Sequence, residues 1–145
     1  MARIPFYRGK SIDTGKWIIG QGCLYDDEIC ERVSIFDDDT GEWEEVHTIT
    51  VGEGSGLYDR NGKEIFEGDI VRYATMEDKA CNIVEFEHGA FGYKCFFGFM
   101  SYAGNSNFSF NPLDKSEDHE IIGNIHDNPE LAKTIKDFYN ENRIP

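Results

Sequence analysis

Along much of the chain, apolar side chains recur at every second position in short runs, and the runs are cut by glycine and small polar residues. Phe91, Tyr93, Cys95, Phe97 and Phe99 form the longest such series, with Gly92, Lys94, Phe96 and Gly98 on the alternate positions. A period of two marks a strand with one buried face, so these five are expected on one side of a strand. Phe6–Ile12 and Lys16–Tyr25 are apolar-rich runs separated by Asp13, Thr14 and Gly15, which predicts a hairpin. Arg32–Phe36 and Glu42–Val51 predict a second hairpin, closed over Asp37–Gly41 with Gly41 supplying a positive φ.

The stretch GLYDRNGKEIFEGDIV, residues 56–71, is orderly in another way. Asp59, Asn61 and Gly62 form one turn signal, in which Asp and Asn bond back to their own backbone and glycine takes a left-handed corner. Lys63–Phe66 reads as a short extended piece, and Gly68-Asp69 as a second corner that leads into a strand over Ile70–Tyr73. Val71 and Tyr73 share one face of that strand, and Val84 and Phe86 share a face of another over Asn82–Glu87. Further strands are expected over Phe108–Phe110 and Glu120–Ile125. Asn128 then caps a helix with Pro129 at its first position, where the missing N–H is harmless. Leu131, Ile135, Phe138 and Tyr139 follow at i, i+4, i+7 and i+8, one apolar stripe that predicts docking on the barrel or on another subunit.

The expected fold class is therefore mainly β: an N-terminal antiparallel β unit, a small SH3-like barrel, and a C-terminal α-helix. The expected divisions are 1–52 for the hairpin region, 53–126 for the barrel core and 127–145 for the helix, with one continuous domain as the alternative. Composition agrees. Eleven Phe and seven Tyr among 145 residues favour strands, and fifteen glycines supply turns. A chain of this length buries a core without disulfides or metal.

Charge narrows the function classes. With 28 acidic and 14 basic residues the formal net charge is −14, which repels phosphate backbones and disfavours direct nucleic-acid binding. No run approaches the apolar length of a membrane span, and the first residues lack a signal-peptide core, so a cytoplasmic location is expected. Cys23 and Cys30, like Cys81 and Cys95, are too far apart for a CxxC zinc site and read as buried free thiols.

Three blocks carry a resemblance. The first is Phe6–Lys10 followed by Thr14–Trp17 and Ile19-Gly20. The second is the 56–71 stretch with Thr50-Val51-Gly52 before it. The third is Ile121–Leu131. In this order they resemble the YopX family of phage and prophage proteins, with Glu53-Gly54-Ser55 departing from the family's usual Gln-aromatic-Thr. The resemblance implies a β-rich, SH3-like barrel domain encoded in phage or prophage DNA, hence at work in a bacterial host, and implies no particular activity.

Candidate chemistry is sparse. Asp37, Asp39 and Glu42 carry oxygens that a hard cation would accept, but Glu42 stands where an EF-hand loop needs glycine, and a solvated turn explains them. Gly52, Gly54 and Gly56 mimic part of a phosphate loop without the helix that must follow one. His47, His88, His119 and His126 have no partner at metal spacing and no nucleophile beside them. The sequence therefore yields no catalytic, cofactor-binding or metal residues, and Asp59, Asn61, Gly62, Gly68 and Asp69 are read as scaffold. The function expected is a non-enzymatic, self-associating binding module that contacts an unidentified phage or host protein, without direct nucleic-acid or membrane binding. The alternative is an acidic nucleic-acid mimic or regulator of DNA-handling proteins.

Overall fold

The computed structural model describes residues 4–26, 32–73, 81–87, 90–96, 108–112 and 116–141. The chain is mainly β with one α-helix, and it divides into two compact units, Met1–Gly56 and Leu57–Pro145. The described strands form open antiparallel sheets.

In the first unit, β1 (Tyr7–Lys10) pairs with β2 (Trp17–Gly20) through Gly9↔Ile18 and Lys10↔Trp17. Ser11, fully buried, closes the intervening turn: its Oγ accepts the N–H groups of Asp13 and Thr14, each at 3.2 Å. The run Lys16–Tyr25, expected as one strand, breaks at Gln21. Its second half is β3 (Gly22–Asp26), which pairs with β4 (Arg32–Asp37), and β4 pairs with β5 (Glu42–Val46). Just before the break the chain passes close to β4: a Cβ at Gly20 would collide with the Phe36 carbonyl oxygen, so only glycine can stand there.

The core of this unit is Ile18, Val33, Ile35 and Val46, with Tyr7, Cys23 and Val51 partly buried against it. Strand β5 ends at Val46 rather than at Val51. Beyond it the His47 N–H donates to the Lys10 carbonyl at 2.8 Å, and Thr48–Thr50 wind into a 3₁₀ turn. Thr50 Oγ1 donates to the His47 carbonyl at 2.6 Å and accepts the Lys10 N–H at 2.9 Å. Strand β6 (Gly52–Tyr58), which no apolar pattern announces, begins in this unit beside β1 through Tyr7↔Glu53 and Arg8↔Gly52.

The second unit contains β7 (Glu64–Phe66), β8 (Asp69–Tyr73), β9 (Cys81–Ile83), β10 (Glu85–Glu87), β11 (Ala90–Phe96), β12 (Phe108–Pro112), β13 (His119–Asn124) and α1 (Pro129–Glu141). One sheet has the order β13-β8-β9 and another β10-β11-β12. The run Asn82–Glu87, expected as one strand, is interrupted at Val84. There the chain turns its backbone to the Gly68-Asp69 corner: Val84 N–H donates to the Asp69 carbonyl at 2.8 Å, and its carbonyl accepts Gly68 N–H at 2.9 Å. Of the alternating aromatic series, Phe91 packs partly buried against Ile65, Val71 and Val84. Phe97 and Phe99 and the side chains of Tyr93 and Cys95 lie outside the described residues.

The β13-β8-β9 sheet is covered on both faces. Val71 and Ile121 face Ile65 and Val84, while Ile70, Ile83 and Ile122 face Ala132 and Ile135 of α1, flanked by Leu131 and Ile125. The helix therefore docks on the sheet of its own unit. Burial of each such side chain stabilises by about 1.5–3 kcal/mol, which is what holds a helix too short to persist alone. Phe138 and Tyr139 continue the helix backbone, and their side chains lie outside the described residues. Ala132, absent from the expected stripe, is buried at its centre.

Candidate functional site

The turn residues come together as a knot in the second unit. Asp59 is buried, and its Oδ1 accepts the N–H groups of Asn61 (2.9 Å) and Lys63 (3.0 Å) while its Oδ2 accepts that of Ile121 (3.1 Å). Its own N–H donates to the Lys63 carbonyl at 2.8 Å, and the neighbouring Arg60 N–H donates to the His119 carbonyl at 2.9 Å. Burial pushes the Asp59 carboxyl up, but the three amide donors and the Lys63 ammonium outweigh it and hold the pKa below the ordinary carboxylate value. Gly62 sits at φ 81° and closes this turn through its N–H to the Asp59 carbonyl at 3.0 Å. At the second corner Gly68 has φ 91°, and the buried Asp69 accepts the Phe66 N–H on Oδ2 at 2.8 Å. A carboxylate whose oxygens are filled by fixed amides and whose proton affinity is lowered is poorly suited to move protons. These groups tie turns to strands.

At the helix start, Asn128 directs its side-chain oxygen backwards to the Asn124 N–H at 3.1 Å, and its carbonyl accepts the first helical bond from Ala132 at 3.0 Å. The side chain of Asn124 in turn accepts the N–H groups of His126 and Asp127, both at 2.9 Å. The β13-to-α1 connection is thus fastened by two asparagines, and Pro129 is the first helical residue.

The remaining sequence candidates are scattered. Asp37 Oδ1 accepts the Asp39 N–H at 2.9 Å, as a turn residue does, and no group of three or more His, Cys, Asp or Glu suited to a metal occurs among the described residues. Gly52, Gly54 and Gly56 lie within β6, not in a loop before a helix. His119 is buried and His126 half-buried, while His88 lies outside the described residues. Cys23 and Cys81 are free thiols whose pKa burial raises, partly offset at Cys81 by Arg72. Cys30 and the side chain of Cys95 lie outside the described residues. Among the described residues no helix is long and apolar enough to cross a membrane.

One surface was missed in sequence. In the β3-β4-β5 sheet, Cys23, Val33, Ile35 and Val46 face the core, so the alternate positions form the outer face. Register sets Gly22, Phe36 and Trp43 in one cross-strand row, and Leu24, Ser34 and Glu45 in the next, with Arg32 beyond. Leu24 is 58% exposed and Trp43 48% exposed. The Phe36 and Trp43 rings meet edge-on at 5.4 Å. Glycine at position 22 makes room for them, since a Cβ there would stand 2.9 Å from Phe36 Cβ and 3.1 Å from Trp43 Cη2. Arg32 and Glu45 pair at 3.6 Å, and the strands end in the β4–β5 turn with Asp37, Asp38, Asp39 and Glu42. The alternation that identifies this face was present in sequence, but which parity is buried was not. In the same unit the guanidinium of Arg8 and the ammonium of Lys10 lie over the Trp17 ring at 4.7 Å and 5.4 Å.

The fold of the chain has a solved counterpart. EF1440 from Enterococcus faecalis, known from its crystal structure, shares 25% sequence identity with this chain at a TM-score of 0.55, covering 90% of this chain and 99% of its own. No curated protein matches the sequence. The family described as YopX protein matches residues 6–133, from just before β1 into the first turns of α1. The chain belongs to the YopX protein family.

Proposed function

We propose that this protein is a non-enzymatic binding module, encoded by phage or prophage and working in the bacterial cytoplasm, that acts by contact with another protein through the outer face of β3-β4-β5. The observation that carries the reading is the exposure of Leu24 and Trp43 on adjacent rows of one sheet face, with Phe36 beside Trp43. Exposed aromatic clusters of this kind are where binding energy concentrates in protein interfaces. The buried polar groups described above all have structural partners, which is consistent with a scaffold that presents a surface. Leu131, Ala132 and Ile135 of α1 pack against the helix's own sheet, so these three are not the contact of a self-associating module. A homo-oligomer would be built on a different surface.

The test is affinity capture from phage-carrying host cells with the wild-type chain and a Leu24→Ser/Trp43→Ser variant side by side. A protein retained by the wild type and lost by the equally folded variant supports the reading. Equal retention by both overturns the assignment of this face.

A further inference from the structure

We infer that the occupant of the β3-β4-β5 outer face is a cationic segment of a partner protein. An apolar side chain of that segment rests on Phe36 and Trp43, and its Lys or Arg side chains reach the β4–β5 turn. This rests on the proposed reading of the face as the contact surface and adds the chemistry of what covers it.

Charge selects the occupant. Residues 37–45 carry six carboxylates and no basic side chain. Register gives Asp37, Glu42 and Glu44 the parity of the core-facing Ile35, so those on the side of Trp43 are Glu45 and the turn residues Asp38 and Asp39. On the face itself Arg32 is matched by Glu45 at 3.6 Å, which leaves the carboxylates of the turn as the excess charge next to the aromatic row. The whole of Met1–Gly56 has five basic residues against twelve acidic, so the field beyond the face has the same sign. A neutral apolar segment would cover the rings and strip water from nearby carboxylates without compensation. A second copy docked by the same face would set two acidic turns into one small self-complementary interface, which is repulsive. A segment with both an apolar and a cationic side chain satisfies the rings and the carboxylates together. The exposed indole also offers its own face to a cation, as Trp17 does to Arg8 and Lys10 in this unit.

The test uses Trp43 as the reporter in a Trp17→Phe background, which keeps an aromatic ring beneath Arg8 and Lys10. Three synthetic peptides of equal length are titrated: alternating Lys and Leu, the same with Ser for Lys, and the same with Ser for Leu. The Lys–Leu peptide is expected to shift Trp43 emission and to bind about ten-fold or more tightly than either other peptide, with the advantage falling as salt is raised. An Asp38→Asn/Asp39→Asn variant should lose most of that advantage, its thermal midpoint unmoved, because Asp37 still closes the turn. If the Ser–Leu peptide binds as tightly as the Lys–Leu peptide and Leu24→Ser abolishes both, the cationic occupant is overturned while the contact face stands. If the Lys–Ser peptide binds as tightly as the Lys–Leu peptide, the apolar row plays no part, and both the occupant and the face are overturned in favour of a phosphate-like acidic surface. No Trp43 response to the Lys–Leu peptide also overturns the inference.

Discussion

In Leu57–Pro145 the β13-β8-β9 sheet is covered on both faces, by the Ile65–Val84 cluster on one side and by α1 on the other. In Met1–Gly56 the β3-β4-β5 sheet buries Val33, Ile35 and Val46 on one face only and leaves Leu24 and Trp43 on the other. The units also close their turns differently. The buried turn-closing groups of the first are the hydroxyls of Ser11 and Thr50, which do not ionise, with the Asp37 carboxylate closing only the exposed β4–β5 turn. The second uses the buried carboxylates of Asp59 and Asp69. The second unit covers both faces of its β13-β8-β9 sheet, and the first leaves one face of β3-β4-β5 exposed.

The largest effect that sharpens this contrast comes from the doubly covered sheet. Ile70, fully buried between β8 and α1, should cost about 2–5 kcal/mol when replaced by alanine. Urea unfolding followed at 222 nm reads it, because α1 is the α-helix among the described residues. A loss below about 1 kcal/mol would mean that the helix is not docked there.

The staples come next. Asp59→Ala leaves three amides without their acceptor and should cost about 1–3 kcal/mol or more, whereas Ser11→Ala should cost about 0.5–1.5 kcal/mol. Equal losses in chemical denaturation would erase the distinction between the two kinds of staple. The same difference has a pH signature. A carboxyl whose folded pKa is lowered contributes stability that is fully present above its unfolded value, about 3.9, and is lost as pH falls through the folded value. Both tryptophans, Trp17 and Trp43, lie in the first unit and α1 lies in the second. On acidification the 222 nm signal should therefore fall before the tryptophan emission shifts, and Asp59→Asn should narrow the gap. Coincident transitions in the wild type would contradict it.

Two glycines supply a matched control. Gly41 in the first unit and Gly62 in the second both have positive φ, 74° and 81°, and a Cβ at either meets nothing within 4 Å. Alanine at each should cost about 1 kcal/mol from conformation alone, with no difference between units. A large asymmetry in thermal unfolding would show that one of these turns makes contacts beyond its backbone.

The turns and the helix start were legible because they are local: Asp59, Gly62, Asp69 and Pro129 signal within a few residues of themselves. What was not legible depended on distant chain. The third amide on Asp59 belongs to Ile121, 62 residues away. Strand β6 reads GEGSGLY and has little apolar pattern; it forms where β1 offers it a partner. The need for glycine at position 20 is set by the Phe36 carbonyl, and the break at Val84 by the Gly68-Asp69 corner. The consecutive pairs Ile70-Val71, Ile83-Val84 and Ile121-Ile122 do carry a sequence signal for a sheet buried on both faces, one that a search for strict alternation passes over. Trp43 lies among Glu42, Glu44 and Glu45, and only the register beside Phe36 reveals it as part of an apolar row.

On the proposed function, the open face of the first unit serves binding and not stability. The affinity of the Leu24→Ser/Trp43→Ser variant for the partner captured by the wild type, measured by calorimetry on protein whose thermal midpoint is known, decides this. An affinity loss of about ten-fold or more is expected, with stability changed by no more than about 1 kcal/mol. Unchanged affinity in a folded variant would contradict it.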